Sequence, residues 1–308
     1  MRYTLRQLEI FIAVARHESV SRAADALALS QSATSTALGE LERQFDTQLF
    51  DRIGKALRLN EAGHVLLPQA VQLIEHAREI EAMLARQTDF GPLQVGATLT
   101  VGNYLANLIA ADFLRRHPGA RIGLSVHNST TIMQQLLRYE LDLGLIEGNC
   151  RHPELIVEPW VEDELVVFCA PGHPLDHGRP VGIGELAAHD WILREAGSGT
   201  RETFEQALRH FGGRLRVRLE LEHTEAIKRA VESGFGIGCI SRLALREAFR
   251  RGSLRPVETP ELDLRRQFQF VTHQRKYVTA GMREFIALCR QMTAGVARSD
   301  EIPLPFIP

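Results

Sequence analysis

SVSRAADALALSQSATSTALGELERQF, residues 19–45, decides how the N-terminal region of this chain is read. Val20, Ala23, Ala24 and Leu27 recur at helical spacing, and Leu29–Ser30 then interrupts the pattern. Ser30 is placed to cap a second helix beginning at Gln31. On that helix Ala33, Ala37, Leu38 and Leu41 fall on one side, and Gln31, Ser32, Ser35, Thr36 and Gly39 on the other. A face of short, uncharged hydrogen-bonding groups fits the major groove of DNA, where hydroxyls and amides reach base edges. Taken alone, the same helix is equally a surface helix with a polar outer side. Its neighbours decide.

Upstream, Leu5, Leu8, Phe11, Ile12 and Ala15 make an amphipathic helix ending near His17. Downstream, LFDRIGKALRLN (residues 49–60) reads as a β-hairpin about a Gly54 turn, with short extended pieces at Leu49–Phe50 and Leu57–Leu59. It carries Arg52, Lys55 and Arg58 against one acid, Asp51. Three helices followed by a basic hairpin form a winged helix-turn-helix, in which the wing's cations hold phosphates while the second helix of the pair reads bases. A long helix then runs from Asn60 to about Gln87, with Pro68 as an expected kink. Its apolar seam, Leu67, Ala70, Ile74, Ala77, Ile80 and Leu84, suits a partner helix from a second copy, or else the chain's own second domain. QTDFGP (residues 87–92) breaks the helix and marks a boundary.

Beyond it, strands alternate with helices. The spacing predicts strands at Leu93–Ala97, Ile122–Val126, Leu141–Ile146, Leu165–Ala170, Val217–Leu221, Ile237–Ile240 and Phe268–Thr272. Helices are predicted near 101–116, 130–138, 200–211, 224–233, 242–250 and 279–293, an α/β rhythm with largely parallel sheets. Several strand-to-helix junctions carry groups suited to a small ligand: Thr98, Thr100 and Asn103 after the first strand, Asn128 and Ser129 after the second, His223 before a later helix. The Gly-rich loop Arg194–Arg201 opens a helix, so Ser198, Gly199 and Thr200 offer backbone N–H groups and hydroxyls to an oxyanion. Glu147 and Glu195 oppose an anion there, unless one turns to Arg194 or Arg201 or the ligand carries a proton.

The run from Leu5 through Gly63, especially SRAADALALSQSATSTALGELE, LFDR and LRLNEAG, resembles the DNA-binding domain of LysR-type transcriptional regulators. Asn60 stands where the family usually has Thr, and both residues cap helices. The resemblance implies DNA contacts from Gln31, Ser32, Ser35 and Thr36, with Arg52 and Arg58 on the wing, while Thr34 packs inward. It also implies a winged helix-turn-helix over 1–59, a linker and dimerisation helix over 60–90, and a periplasmic-binding-protein-like effector domain over 91–308. That domain would comprise two Rossmann-like subdomains, about 91–162 with 267–300 and about 163–266. The implied partners are double-stranded promoter DNA, a small-molecule effector, and further copies of the chain as a homodimer through the linker helix and a homotetramer. GNY, HNSTT, GLIEG, EPWVEDELVVFCAP, WILREAGSGTRE and GIGCISRLAL are similar to the YeiE/CysB-like branch, which implies a sulfur oxyanion, sulfite first.

Composition bounds the alternatives. With 36 Lys and Arg against 38 Asp and Glu, bulk charge gives no support for a nucleic-acid partner, which therefore rests on the motif. No apolar run is long enough for a membrane span, and the amphipathic start MRYTLRQLEIF lacks the continuous apolar stretch of a signal peptide, so a cytoplasmic protein is expected. Cys150, Cys169, Cys239 and Cys289 are scattered without C-x-x-C spacing, and His173 with His177 falls in a Pro- and Gly-rich turn, so no metal is expected. No cofactor fingerprint or Ser-His-Asp spacing supports an enzyme with Ser198 as nucleophile. The remaining alternative is a cytoplasmic small-molecule-binding protein without sequence-specific DNA binding.

Overall fold

The computed structural model describes residues 2–53, 56–84, 90–209 and 215–303. The first helix, α1 (Leu5–His17), starts with a capping box: Gln7 N–H donates to the Thr4 hydroxyl, and Thr4 N–H donates to Gln7 Oε1. Ser19 caps α2 (Val20–Ala26), and Ser30 caps α3 (Gln31–Gln44) by accepting from Ala33 N–H at 3.1 Å. Phe11 and Val14 are fully buried, packed with Ala23, Leu38, Leu41, Leu49 and Phe50. Strands β1 (Phe50–Ile53) and β2 (Ala56–Leu59) pair antiparallel as a wing, longer than the sequence predicted. The expected Gly54 turn and Lys55 lie outside the described residues.

Helix α4 (Glu61–Leu84) passes through Pro68 without ending. Its seam divides. Leu67, Ala70 and Ile74 are buried with Val71 against the head's own core, because the apolar side of α1 needs a cover that α2 and α3 leave incomplete. Val65, Leu73, Ile80 and Leu84 remain exposed. The first part of the predicted seam is thus internal to the chain, and helical period alone cannot name the partner of a stripe. The first half of the predicted breaker at 87–92, residues 87–89, lies outside the described residues, and the strand Pro92–Thr98 begins at its end.

The C-terminal region holds β3 (Pro92–Thr98), β4 (Arg121–His127), β5 (Leu143–Glu147), β6 (Leu155–Cys169), β7 (Asp190–Arg194), β8 (Arg216–Leu221), β9 (Ile237–Ser241), β10 (Arg255–Val257) and β11 (Arg265–His273). Their order is β4-β3-β5-β11-β6-β9-β7-β8, with β10 on β6. β3 runs parallel to β4 and β5, and β7 runs parallel to β8 and β9. Two long antiparallel strands, β6 and β11, join these halves in a ladder from Glu164 opposite Arg265 to Leu155 opposite His273. The sequence marked only the second part of β6 and missed β7. Trp191, Ile192 and Leu193 are buried on both faces and show no alternation, so the period-2 signal of a half-buried strand is absent.

The helices are α5 (Leu99–Val101), continuing through a π-helical turn at Gly102–Ala106 into α6 (Asn107–Arg116), then α7 (Ser129–Leu137), α8 (Ile183–Leu186), α9 (Gly199–Leu208), α10 (Thr224–Glu232), α11 (Arg242–Arg251) and α12 (Ala280–Met292). One core gathers Val95, Leu105, Phe113, Phe268 and Phe285; another gathers Leu165, Trp191, Phe204 and Ile237. Each half therefore has its own interior, and the crevice between them, lined by Gly148 after β5, Thr203 of α9 and Arg266 of β11, is where such sheets bind ligands. No described helix is long and apolar enough to cross a membrane.

Candidate functional site

The head presents the predicted reading surface. Gln31, Ser32, Ser35 and Thr36 are exposed on one side of α3, whereas Thr34 is fully buried with its hydroxyl donating to Ser30 O at 3.0 Å. Ala33, placed on the apolar side by the sequence, is exposed at the helix start. The two wing arginines differ. Arg52 is exposed and has no ion-pair partner among the described residues, but Arg58 donates to Glu18 at 2.8 Å. A phosphate must therefore compete with Glu18 for Arg58, while it meets Arg52 free.

In the C-terminal crevice the junction residues meet across the two halves. Ser129, at the start of α7, accepts from Gly199 N–H at 3.1 Å and donates to Glu147 O. A Cβ at Gly199 would stand 2.0 Å from Glu147 O, so only glycine allows α9 to approach this closely. Thr200 donates to Glu147 Oε1 at 3.1 Å and accepts from Arg266 Nη1 at 2.9 Å. Arg266 Nε reaches Asp163 Oδ2 at 2.7 Å, and Asp163 Oδ1 accepts from Ser241 and Ser299. Burial pushes the Asp163 carboxyl above the usual range even with Arg266 beside it. Burial works against the Arg266 charge, but Glu147 and Asp163 outweigh it and hold the guanidinium more firmly protonated than usual.

Three buried polar atoms at this junction have no hydrogen-bond partner: Ser198 Oγ, and Glu147 Oε2 with Arg266 Nη2, which face each other as an ion pair at 3.5 Å. Orphaned groups of this kind mark a place for water or a ligand. Arg266 and Asp163 were missed from sequence. The signal was present, since RRQFQF alternates and sets Arg266 on the same side of β11 as Phe268 and Phe270.

Other predicted ligand residues lie elsewhere or are already engaged. Glu195 forms two parallel bonds with Arg194, at 2.8 and 2.9 Å, and so turns from the junction. The Thr98 hydroxyl is held by the β5 backbone, accepting from Glu147 N–H and donating to Leu145 O. Asn128 caps α7 through Thr131 N–H. Thr100 is buried, whereas Asn103 and His223 are exposed. A second bridge spans the crevice where Tyr104 donates to Glu225 at 2.6 Å and Lys228 pairs with the same carboxylate. The four cysteines are buried free thiols, and burial pushes Cys150 and Cys169 up to about 11, so none is activated.

Comparison with known proteins follows this division. Residues 5–64 match the family described as bacterial regulatory helix-turn-helix protein, lysR family, and residues 86–294 match the LysR substrate binding domain. The HTH-type transcriptional regulator YeiE of Escherichia coli (strain K12) is 44% identical over 289 residues, covering 94% of this chain and 98% of that protein. A full-length OxyR variant from Pseudomonas aeruginosa superposes with a TM-score of 0.73 at 20% identity, covering 94% of each chain. The CcmR regulatory domain of Synechocystis PCC6803, in complex with 2-PG, gives a TM-score of 0.63 at 27% identity, covering 67% of this chain and 99% of that one.

Proposed function

We propose, for a chain that belongs to the LysR family of helix-turn-helix transcriptional regulators, that the Thr200–Arg266–Glu147 junction senses a small oxyanion and that sulfite is its effector. The three buried polar atoms without hydrogen bonds at that junction carry the proposal, two of them, Arg266 Nη2 and Glu147 Oε2, facing each other at 3.5 Å. An oxyanion there takes the Arg266 Nη2 and Ser198 hydroxyl donors together with the N-terminus of α9. It competes for Thr200 with Glu147, which reaches across from the other half like a built-in anion. Arg266 is one cation against the two carboxylates of Glu147 and Asp163, so a monoanion that carries its own proton suits the balance better than a dianion. The CcmR regulatory domain in complex with 2-PG supports a small-molecule effector in this domain type.

DNA reading is assigned to Gln31, Ser32, Ser35 and Thr36, with Arg52 and Arg58 holding phosphates, in promoter DNA of the cytoplasm. The working division is 1–59, 60–90 and 91–308, with the crossings between subdomains inside β6 and β11. The exposed Val65, Leu73, Ile80 and Leu84 support pairing of α4 with a second copy, and a homotetramer is expected from the same family logic.

Thermal unfolding of the full chain with sulfite, sulfate and small carboxylates tests the effector. A ligand at about a hundred times its Kd adds roughly 2.7 kcal/mol. A shift with sulfite that Thr200→Ala removes is the expected result. No shift with any oxyanion would remove both the sulfur assignment and the junction as its site.

A further inference from the structure

We propose that Lys276 is a positioning residue, the centre of a charge-paired latch that fixes the DNA-reading head against the effector domain. Lys276 follows β11, the strand that carries Arg266 at its other end. Its side chain is 1% exposed and its ammonium is shared between Glu75 of α4 and, at 2.6 Å, Asp142 ahead of β5. Beside it, Arg16 of α1 donates to the Tyr139 carbonyl, and Tyr139 alone of the effector-domain residues joins the head's apolar cluster among the described residues. Arg16 Nε and Glu75 Oε2 are buried without hydrogen-bond partners. One turn along α4, Glu79 accepts from Tyr277 O–H at 2.8 Å and from Ala280 N–H at 2.9 Å.

The chemistry of this contact makes it reversible. The head contributes Arg16, Glu75 and Glu79 and the effector domain Lys276 and Asp142, so most of the docked charge is cancelled across the contact. Solvating them on separation offsets most of what their pairing supplies, because taking ions out of water costs about as much as their attraction returns. An apolar contact of the same size would lock the head. A contact made of buried charges leaves docked and undocked states within reach of a ligand's differential affinity. The effector half of the latch hangs from the strand whose Arg266 lines the proposed sensing junction, so a change in how β11 sits alters both. The coupling to ligand rests on the proposed sensing function; the latch itself does not.

The test uses the full chain with cysteines introduced at Glu40 and Arg251, dye-labelled and diluted into excess unlabelled protein; the native cysteines are buried. Energy transfer then reports the distance from head to effector domain. Lys276→Met leaves Glu75 and Asp142 facing Arg16 alone, and the docked fraction relative to undocked is expected to fall at least tenfold. Glu75→Leu with Lys276→Met removes one pair cleanly, and is expected to stay docked and to stop responding to sulfite. If Lys276→Met is as docked as the parent, or the double variant is as undocked as the single, the latch is refuted. Rescue by the second substitution excludes mere unfolding. The docked fractions of both variants are read without ligand, so they remain readable if sulfite fails to bind.

Discussion

Replacing Arg266 by Met should destabilise the C-terminal region more than any surface change. The side chains of Arg266, Asp163 and Glu147 are 2%, 0% and 1% exposed. Without the guanidinium, Asp163 keeps only the Ser241 and Ser299 hydroxyls, and Glu147 keeps only Thr200. Two carboxylates are then buried with no ion-pair partner among the described residues. Breaking a buried pair in this way costs about 3–5 kcal/mol, which lowers the unfolding midpoint by roughly 6–20 °C for a domain of this size. Both tryptophans report on the right region, since Trp160 packs on one core and Trp191 lies in the other. Urea unfolding followed by tryptophan fluorescence therefore reads the C-terminal halves separately from the head. A triple variant, Arg266→Met with Asp163→Asn and Glu147→Gln, removes all three charges while keeping the serine and threonine partners, and should recover most of the loss. A single variant that costs under about 1 kcal/mol would refute the reasoning, because both carboxylates would then be neutral already.

Three further outcomes are expected. Ser35→Glu places a charge on the exposed face of α3 and should lower affinity for specific DNA by at least about a hundredfold, leaving the sulfite-induced thermal shift unchanged, as read by anisotropy and by melting. Gly39→Ala meets no atom within 4 Å and should stabilise the isolated turn of helix by roughly 0.5–1 kcal/mol, seen as a higher head unfolding midpoint; a lower one would mean that the helix surface is less open than it stands. His273 is buried, and burial holds its imidazole below the ordinary value of 6.5, with Glu154 opposing and Arg275 and Lys276 assisting. Its Nδ1 accepts from Tyr139 O–H and Arg275 N–H, so the folded chain keeps it neutral. Below 6.5 the unfolded chain takes up a proton that the folded site resists, so stability falls as the pH drops through that value toward the lower folded one. His273→Gln should flatten this slope between about pH 7.5 and 5.5, and an unchanged slope would assign it to other groups.

The head was legible because every local signal agreed: a cap at Ser30, a 3.6-residue stripe on α1, and a turn-centred basic hairpin. The strands of the effector domain were legible where alternation or a bounded apolar run existed. β7 was not, because Trp191–Leu193 is buried on both faces and leads straight into the Gly-rich loop. The junction was half legible. Ser198, Gly199 and Thr200 announce themselves by composition, but Asp163 lies 103 residues before Arg266, and nothing local to RRQF tells a surface arginine from a buried one except its place in the alternation. The partner of α4 was not legible at all. A helical stripe gives the buried side, and only the tertiary fold shows that α1 takes its first turns.

The most direct test of ligand-controlled DNA reading is a nuclease footprint of the full chain on the DNA upstream of its own gene, with and without sulfite. The expected result is a protected region bounded by half-sites one or more helical turns apart, about 10 base pairs each, whose length or internal spacing changes when sulfite is added and does not change in Thr200→Ala. A footprint that sulfite leaves identical, under conditions where sulfite raises the melting point, would contradict coupling between the junction and the reading heads.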